Sequence, residues 1–141
     1  MTTRTVAIRL KIPDNEAYTA MTALRRLGVD VGRVERAEIW RMQDGGSAGD
    51  FAQRVERNEM LFNPNKHQLE AIDADRPREG EVWIAELDAQ DEPVRVAGVE
   101  SARRFVGWRL FAHGRVPVPA PALHEAVDKL LCNPAIERAM F

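Results

Sequence analysis

Lys129-Leu130-Leu131-Cys132-Asn133-Pro134, set beside Glu59-Met60-Leu61-Phe62-Asn63-Pro64, is the stretch whose reading decides the fold. In each, an apolar run of helical character is stopped by Asn-Pro, because proline disfavours helical geometry in the residue before it. A short amphipathic tail follows both stops, His67-Gln68-Leu69-Glu70-Ala71 in one and Ile136-Glu137-Arg138-Ala139-Met140 in the other. Upstream, Val34-Glu35-Arg36-Ala37 is echoed by Val99-Glu100-Ser101-Ala102, and Trp40 by Trp108. The echoes keep their order at intervals of 65 to 70 residues, the signature of a strand-then-helix unit used twice. Small repeated units of this kind build packing surfaces more often than catalytic clefts.

Composition narrows the class. A chain of 141 residues suits one compact domain, or two small units sharing a core. With 45% hydrophobic and 30% charged residues, it has enough apolar surface to fold without metal or disulfide staples. The net charge of −2 leaves no electrostatic footprint for nucleic acid. The single cysteine, Cys132, has no internal partner, and no stretch reads as a signal peptide or a membrane span. The expectation is a cytoplasmic protein that binds neither nucleic acid nor membrane. Arginine outnumbers lysine 17 to 3, which is read as genomic base composition in preference to phosphate recognition.

Along the chain, Val6, Ile8, Leu10 and Ile12 alternate with Ala7, Arg9 and Lys11, the period of a half-buried strand. Pro13 ends it, and Asp14 offers an oxygen to the first amides of a helix. That helix carries Ala17, Met21, Leu24 and Leu27 on one stripe, places Arg25 and Arg26 near its last carbonyls and stops at Gly28. Arg33 to Met42 reads as a second strand, with Gln43 to Gly49 a flexible, glycine-rich connection. Asp50 is placed to cap a helix running from Phe51 to about Phe62. Asp73 to Gly80 is turn-like, Glu81 to Leu87 a strand, and Asp88 to Glu92 a turn leading through Pro93 into Val94-Arg95-Val96. Arg104 to Ala112 is the most apolar strand of the chain. Val116 to Pro121 alternates proline and is extended, a stiff crossover into a helix from Ala122 to Cys132 with Leu123, Val127, Leu130 and Leu131 on one face. Ala135 to Phe141 then reads as a final helical turn or two, with Pro134 at its first position.

No chemistry-bearing constellation emerges. His67, His113 and His124 are scattered, without the i, i+4 spacing of metal ligands. The glycine-rich connection lacks the Gly-Lys-Ser/Thr of a phosphate cradle and the spacing of a dinucleotide fingerprint. No Gly-x-Ser-x-Gly elbow is present. Cys132 reads as a small buried hydrophobe, Arg103-Arg104 as a solvated pair, and Trp40, Trp83 and Trp108 as core or interface aromatics within strands. No residue is assigned a catalytic, cofactor-binding or metal-ligating role.

The order of elements, together with Val6 to Ile12, Ala23 to Met42 and above all Lys129-Leu130-Leu131-Cys132-Asn133-Pro134-Ala135-Ile136-Glu137, resembles the PurS family. These are the small subunits of phosphoribosylformylglycinamidine synthase, in purine biosynthesis. The family's Asp-Pro-Gln-Gly turn before the first helix is absent here, where Pro13-Asp14-Asn15-Glu16 stands, and Arg36-Ala37-Glu38 replaces its glycine-lysine element. The resemblance implies an α+β, ferredoxin-like plait with an antiparallel sheet, helices on one face and an internal strand-helix duplication. Residues 1–88 would form one PurS-like unit and 89–141 a partial second. It further implies a non-catalytic homo-oligomer, joined through its sheet, that bridges the glutaminase and synthetase components of an ATP-dependent amidotransferase and needs no cofactor. The strand Phe105 to Phe111 is the apolar edge expected to be covered by a partner. The alternative is a stand-alone oligomeric sensor of plait type that binds a small ligand, an amino acid or a nucleotide, in a cleft.

Overall fold

A computed structural model describes all residues, Met1–Phe141. The chain is α+β. Its elements are β1 (Thr2–Leu10), α1 (Asn15–Arg26), β2 (Arg33–Asp44), α2 (Phe51–Glu56), β3 (His67–Ile72), β4 (Glu81–Glu86), β5 (Val99–Phe111), α3 (Ala120–Ala126) and β6 (Glu137–Met140). Six strands form one open sheet in the order β3-β1-β2-β5-β4-β6. The pairings β1–β2, β1–β3, β4–β5 and β4–β6 are all antiparallel.

The chain condenses into two compact units, each gathered from three segments. The first comprises Met1–Pro13, Ala37–Asp75 and Ala89–Phe105; the second comprises Asp14–Arg36, Arg76–Asp88 and Val106–Phe141. Compactness therefore cuts across the expected 1–88 and 89–141 division, and the long strands β2 and β5 each give residues to both units.

In the first unit, Val6 and Ile8 of β1 and Trp40 and Met42 of β2 point to the face on which α2 lays Phe51 and Val55. In the second, Val82 and Ile84 of β4 and Leu110 of β5 meet Leu24 of α1, Leu123 and Ala126 of α3, and Val127 just after it. Each sheet segment thus carries helices on one face. Residues on the opposite faces are buried too. Ala7 stands opposite Ile39 in the first unit, whereas Trp83, with 0% exposure, stands opposite Gly107 in the second. Large faces small in both, the arrangement that fills a core without strain.

Local chemistry explains several boundaries. The Asp14 carboxylate accepts from the amides of Glu16 and Ala17, as the sequence predicts for the start of α1. Gly28, at φ +89°, takes the left-handed conformation that lets the chain leave that helix. Other boundaries differ from expectation. The helix from Phe51 ends at Glu56, six residues early, because the Asn58 side chain accepts from the amides of Met60 and Leu61 and so competes with helical hydrogen bonding. Asp50 does not cap it; its carboxylate instead receives Arg54 Nε at 2.9 Å. The helix expected over Ala122 to Cys132 starts earlier, at Ala120, and finishes as a π turn over Val127–Leu131.

The largest corrections concern strands. The expected closing helical turns over Ala135 to Phe141 are strand β6, and the tail His67 to Ala71 is strand β3. A four- to six-residue tail has little to gain as an isolated helix, whereas beside a waiting strand every pairing satisfies a backbone group. Consequently β5 is not an edge: it lies between β2 and β4, and the sheet's free edges are β3 and β6.

Candidate functional site

The candidate residues from the sequence stay apart. His67 Nδ1 accepts from the Asn63 amide at 3.0 Å. His113 lies 3.3 Å from Asp30, both well exposed, and His124 stacks on Phe141 with ring centroids 3.9 Å apart. No group of three or more His, Cys, Asp or Glu side chains gathers where a metal ion could be held. Cys132 is half-buried, and burial pushes its thiol up, with Glu137 and Asp128 adding to the effect. Arg103 pairs with Asp91 at 2.8 Å and Arg104 with Glu38 at 3.3 Å. Glu38 also accepts from the Trp40 indole at 2.8 Å.

The most concentrated polar cluster is one that sequence reading missed, and it lies within the first unit. Asp44, with 1% exposure, accepts from Arg54 Nη1 and Nη2 at 2.8 Å each and from Arg4 Nε at 2.8 Å. The Gly46 amide donates to Asp44 Oδ1 at 2.9 Å. Arg54 further donates to the carbonyls of Ser47 and Ala97. The Arg54 guanidinium holds the Asp44 carboxyl far below the usual carboxylate range against the opposing cost of burial, with Gly46 and Arg4 assisting. A carbon on Gly46 would lie 2.8 Å from the guanidinium, so the glycine is required by close approach. The supposedly flexible connection is therefore folded over Arg54. All five N–H groups of Arg54 point at protein oxygens, which makes the guanidinium a staple for a strand end and two loops.

The two Asn-Pro segments are built alike. The Asn63 carbonyl accepts from the amides of Lys66 and His67, and the Asn133 carbonyl from those of Ile136 and Glu137. Asn63 Oδ1 accepts from the Asn65 amide and Asn133 Oδ1 from that of Ala135. The Asn63 amide is received by His67 Nδ1, and the Asn133 amide by Glu137 Oε1. Each turn then delivers its carbonyl to the neighbouring strand's end: Lys11 donates to Lys66 and Leu87 to Ile136. The registers agree as well. Val6 lies opposite Trp40 and Ile8 opposite Leu69, while Val82 lies opposite Trp108 and Ile84 opposite Ala139. By register β1 corresponds to β4, β2 to β5 and β3 to β6.

At the β6 edge, apolar side chains face solvent. Ile136 is 60% exposed and Leu87, tied to it through the backbone, 54%. A strand edge bordered by such residues offers unpaired backbone groups and apolar surface to another chain. No helix is long and apolar enough to cross a membrane. Compared with known proteins, the sequence matches no family model and no curated protein.

Proposed function

We propose that the chain is a non-catalytic, PurS-like assembly subunit, a plait-type protein built by internal duplication, that associates through the free edge of its sheet. The observation that carries this reading is the β6 edge itself, open along one side and flanked by exposed Leu87 and Ile136. The matched Asn-Pro turns and strand registers support the duplication. The family resemblance supplies the partners: further copies of the chain, and the glutaminase and synthetase components of a purine-pathway amidotransferase. On this reading the amidation chemistry belongs to those partners, and this chain contributes position and closure.

Two measurements test it. Light scattering at tens of micromolar should give a mass above that of one chain, consistent with an interface of at least about 1,000 Å². Pull-down from the native host should bring down the glutaminase or the large synthetase component. A strictly monomeric protein that captures neither overturns the proposal.

A further inference from the structure

The two Asn-Pro turns share their backbone bonds but not the group that receives the asparagine amide. The Asn63 amide donates to His67 Nδ1 at 3.0 Å, whereas the Asn133 amide donates to Glu137 Oε1 at 2.9 Å. Each acceptor stands four residues beyond its asparagine, at the first residue of the strand that follows, β3 in one turn and β6 in the other. Both are half-buried. What differs is the chemistry of accepting. An ordinary carboxylate keeps its lone pairs free until the pH falls to about 4. An imidazole accepts at Nδ1 only while that nitrogen is bare, and once the ring is charged both nitrogens are donors.

The charged groups on the elements around His67 are otherwise engaged or turned to solvent. Lys11, at the end of β1, donates its ammonium to the Pro64 carbonyl at 2.6 Å, and the exposed Lys66 precedes His67 in the turn. Arg9 of β1 lies 3.8 Å from Glu70 of β3. On α2, Arg54 is bound to Asp44 and Asp50, and Glu56 is exposed, as are Arg57 and Glu59 in the segment leading to the turn. The Phe62 ring lies tilted to the imidazole at 6.1 Å between centroids. The Asn63 amide is thus the polar group to which the ring is fastened.

We infer that the Asn63–His67 turn is a proton-sensitive clasp on the start of β3, closed while His67 is neutral and opened when it is protonated, and that the Asn133–Glu137 turn is its insensitive counterpart. Protonation sets two N–H donors 3.0 Å apart, so the ring must turn away from the Asn63 amide. The bonds from the Lys66 and His67 amides to the Asn63 carbonyl, and from Lys11 to Lys66, do not involve the ring and survive. The response is therefore a loosening at the entry to β3, not unfolding. Since β3 and β6 are the two free edges of the sheet, acid acts on one edge and spares the other. The inference is independent of which edge meets a partner.

NMR of the full chain from about pH 7.5 to about pH 5.5, across the histidine range, tests it by following the His67 ring together with hydrogen exchange at the Asn63 and Asn133 amides. As His67 takes up its proton, protection of the Asn63 amide, corrected for the intrinsic pH dependence of exchange, should fall about fivefold, the effect of one lost hydrogen bond. Protection of Asn133 should hold. Exchanging the acceptors identifies the cause: His67→Glu should keep the Asn63 amide protected throughout, and Glu137→His should make the Asn133 amide acid-sensitive. The inference is overturned if the His67 ring takes up no proton in this range, or if Asn63 protection does not follow it. Parallel loss at Asn133 in the wild type also overturns it, because the change is then global, and so does either exchanged variant that behaves as its parent does.

Discussion

Arg54 shows how one residue can order a region that local sequence leaves open. Its guanidinium gathers a strand end, a glycine-bearing turn and the loop around Ala97, and it does so with 8% exposure. Removing one partner of a buried pair strands the other charge, so Arg54→Ala should destabilise the protein by about 3–5 kcal/mol in urea unfolding. Asp44→Asn/Arg54→Met should cost less than the sum of its single changes, because both charges leave together. The pH dependence follows from the same cluster. The folded-state pKa of Asp44 is depressed, chiefly by Arg54. Its contribution is fully present above the unfolded carboxylate value of about 3.9 and is lost progressively as pH falls below it. Thermal unfolding of the wild type should therefore weaken more steeply below that pH than unfolding of Asp44→Asn. Cys132 gives a quieter prediction. With its thiol pushed up by burial, alkylation by iodoacetamide near neutral pH should run slower than that of a free cysteine.

The elements divide by whether their signals are local. The start of α1 at Asp14 and its exit at Gly28 were legible, since capping oxygens and a left-handed glycine act within a few residues. The second Asn-Pro stop was legible for the same reason, whereas the first follows a turn and not a helix, since α2 ends at Glu56. The strands after them were not, because His67 to Ile72 and Glu137 to Met140 take their conformation from β1 and β4 and carry no decisive pattern of their own. The early end of α2 lay in Asn58, whose competition for the amides of Met60 and Leu61 was signalled by an asparagine within a helical run. The equivalence of the two Asn-Pro turns has a direct test. Asn63→Ala and Asn133→Ala each delete one side-chain bond to an amide two residues on, and each should cost about 1 kcal/mol. Urea denaturation giving grossly unequal losses would mean that the turns sit in different surroundings despite their matching bonds.

For the whole molecule, the assignment of edges decides which surface can meet a partner. β5, whose Phe105–Phe111 run was expected at an edge, is interior, whereas the shorter β3 and β6 end the sheet. Association through β6 should be abolished by Ile136→Lys, read as a monomeric mass in light scattering. At an exposed position this change should alter stability by no more than about 0.5 kcal/mol. The sequence by itself determined where the chain must stop and turn, that an apolar-then-Asn-Pro pattern occurs twice, and that no familiar catalytic arrangement is spelled out. Those properties reside in residues next to one another along the chain. The tertiary structure alone decided which strands lie inside, where Arg54 finds its carboxylate, and that the tails after the two Asn-Pro turns pair as strands β3 and β6. Strand order, buried ion pairs and grooves are made by groups that meet only after the intervening chain has folded, so no local pattern can encode them.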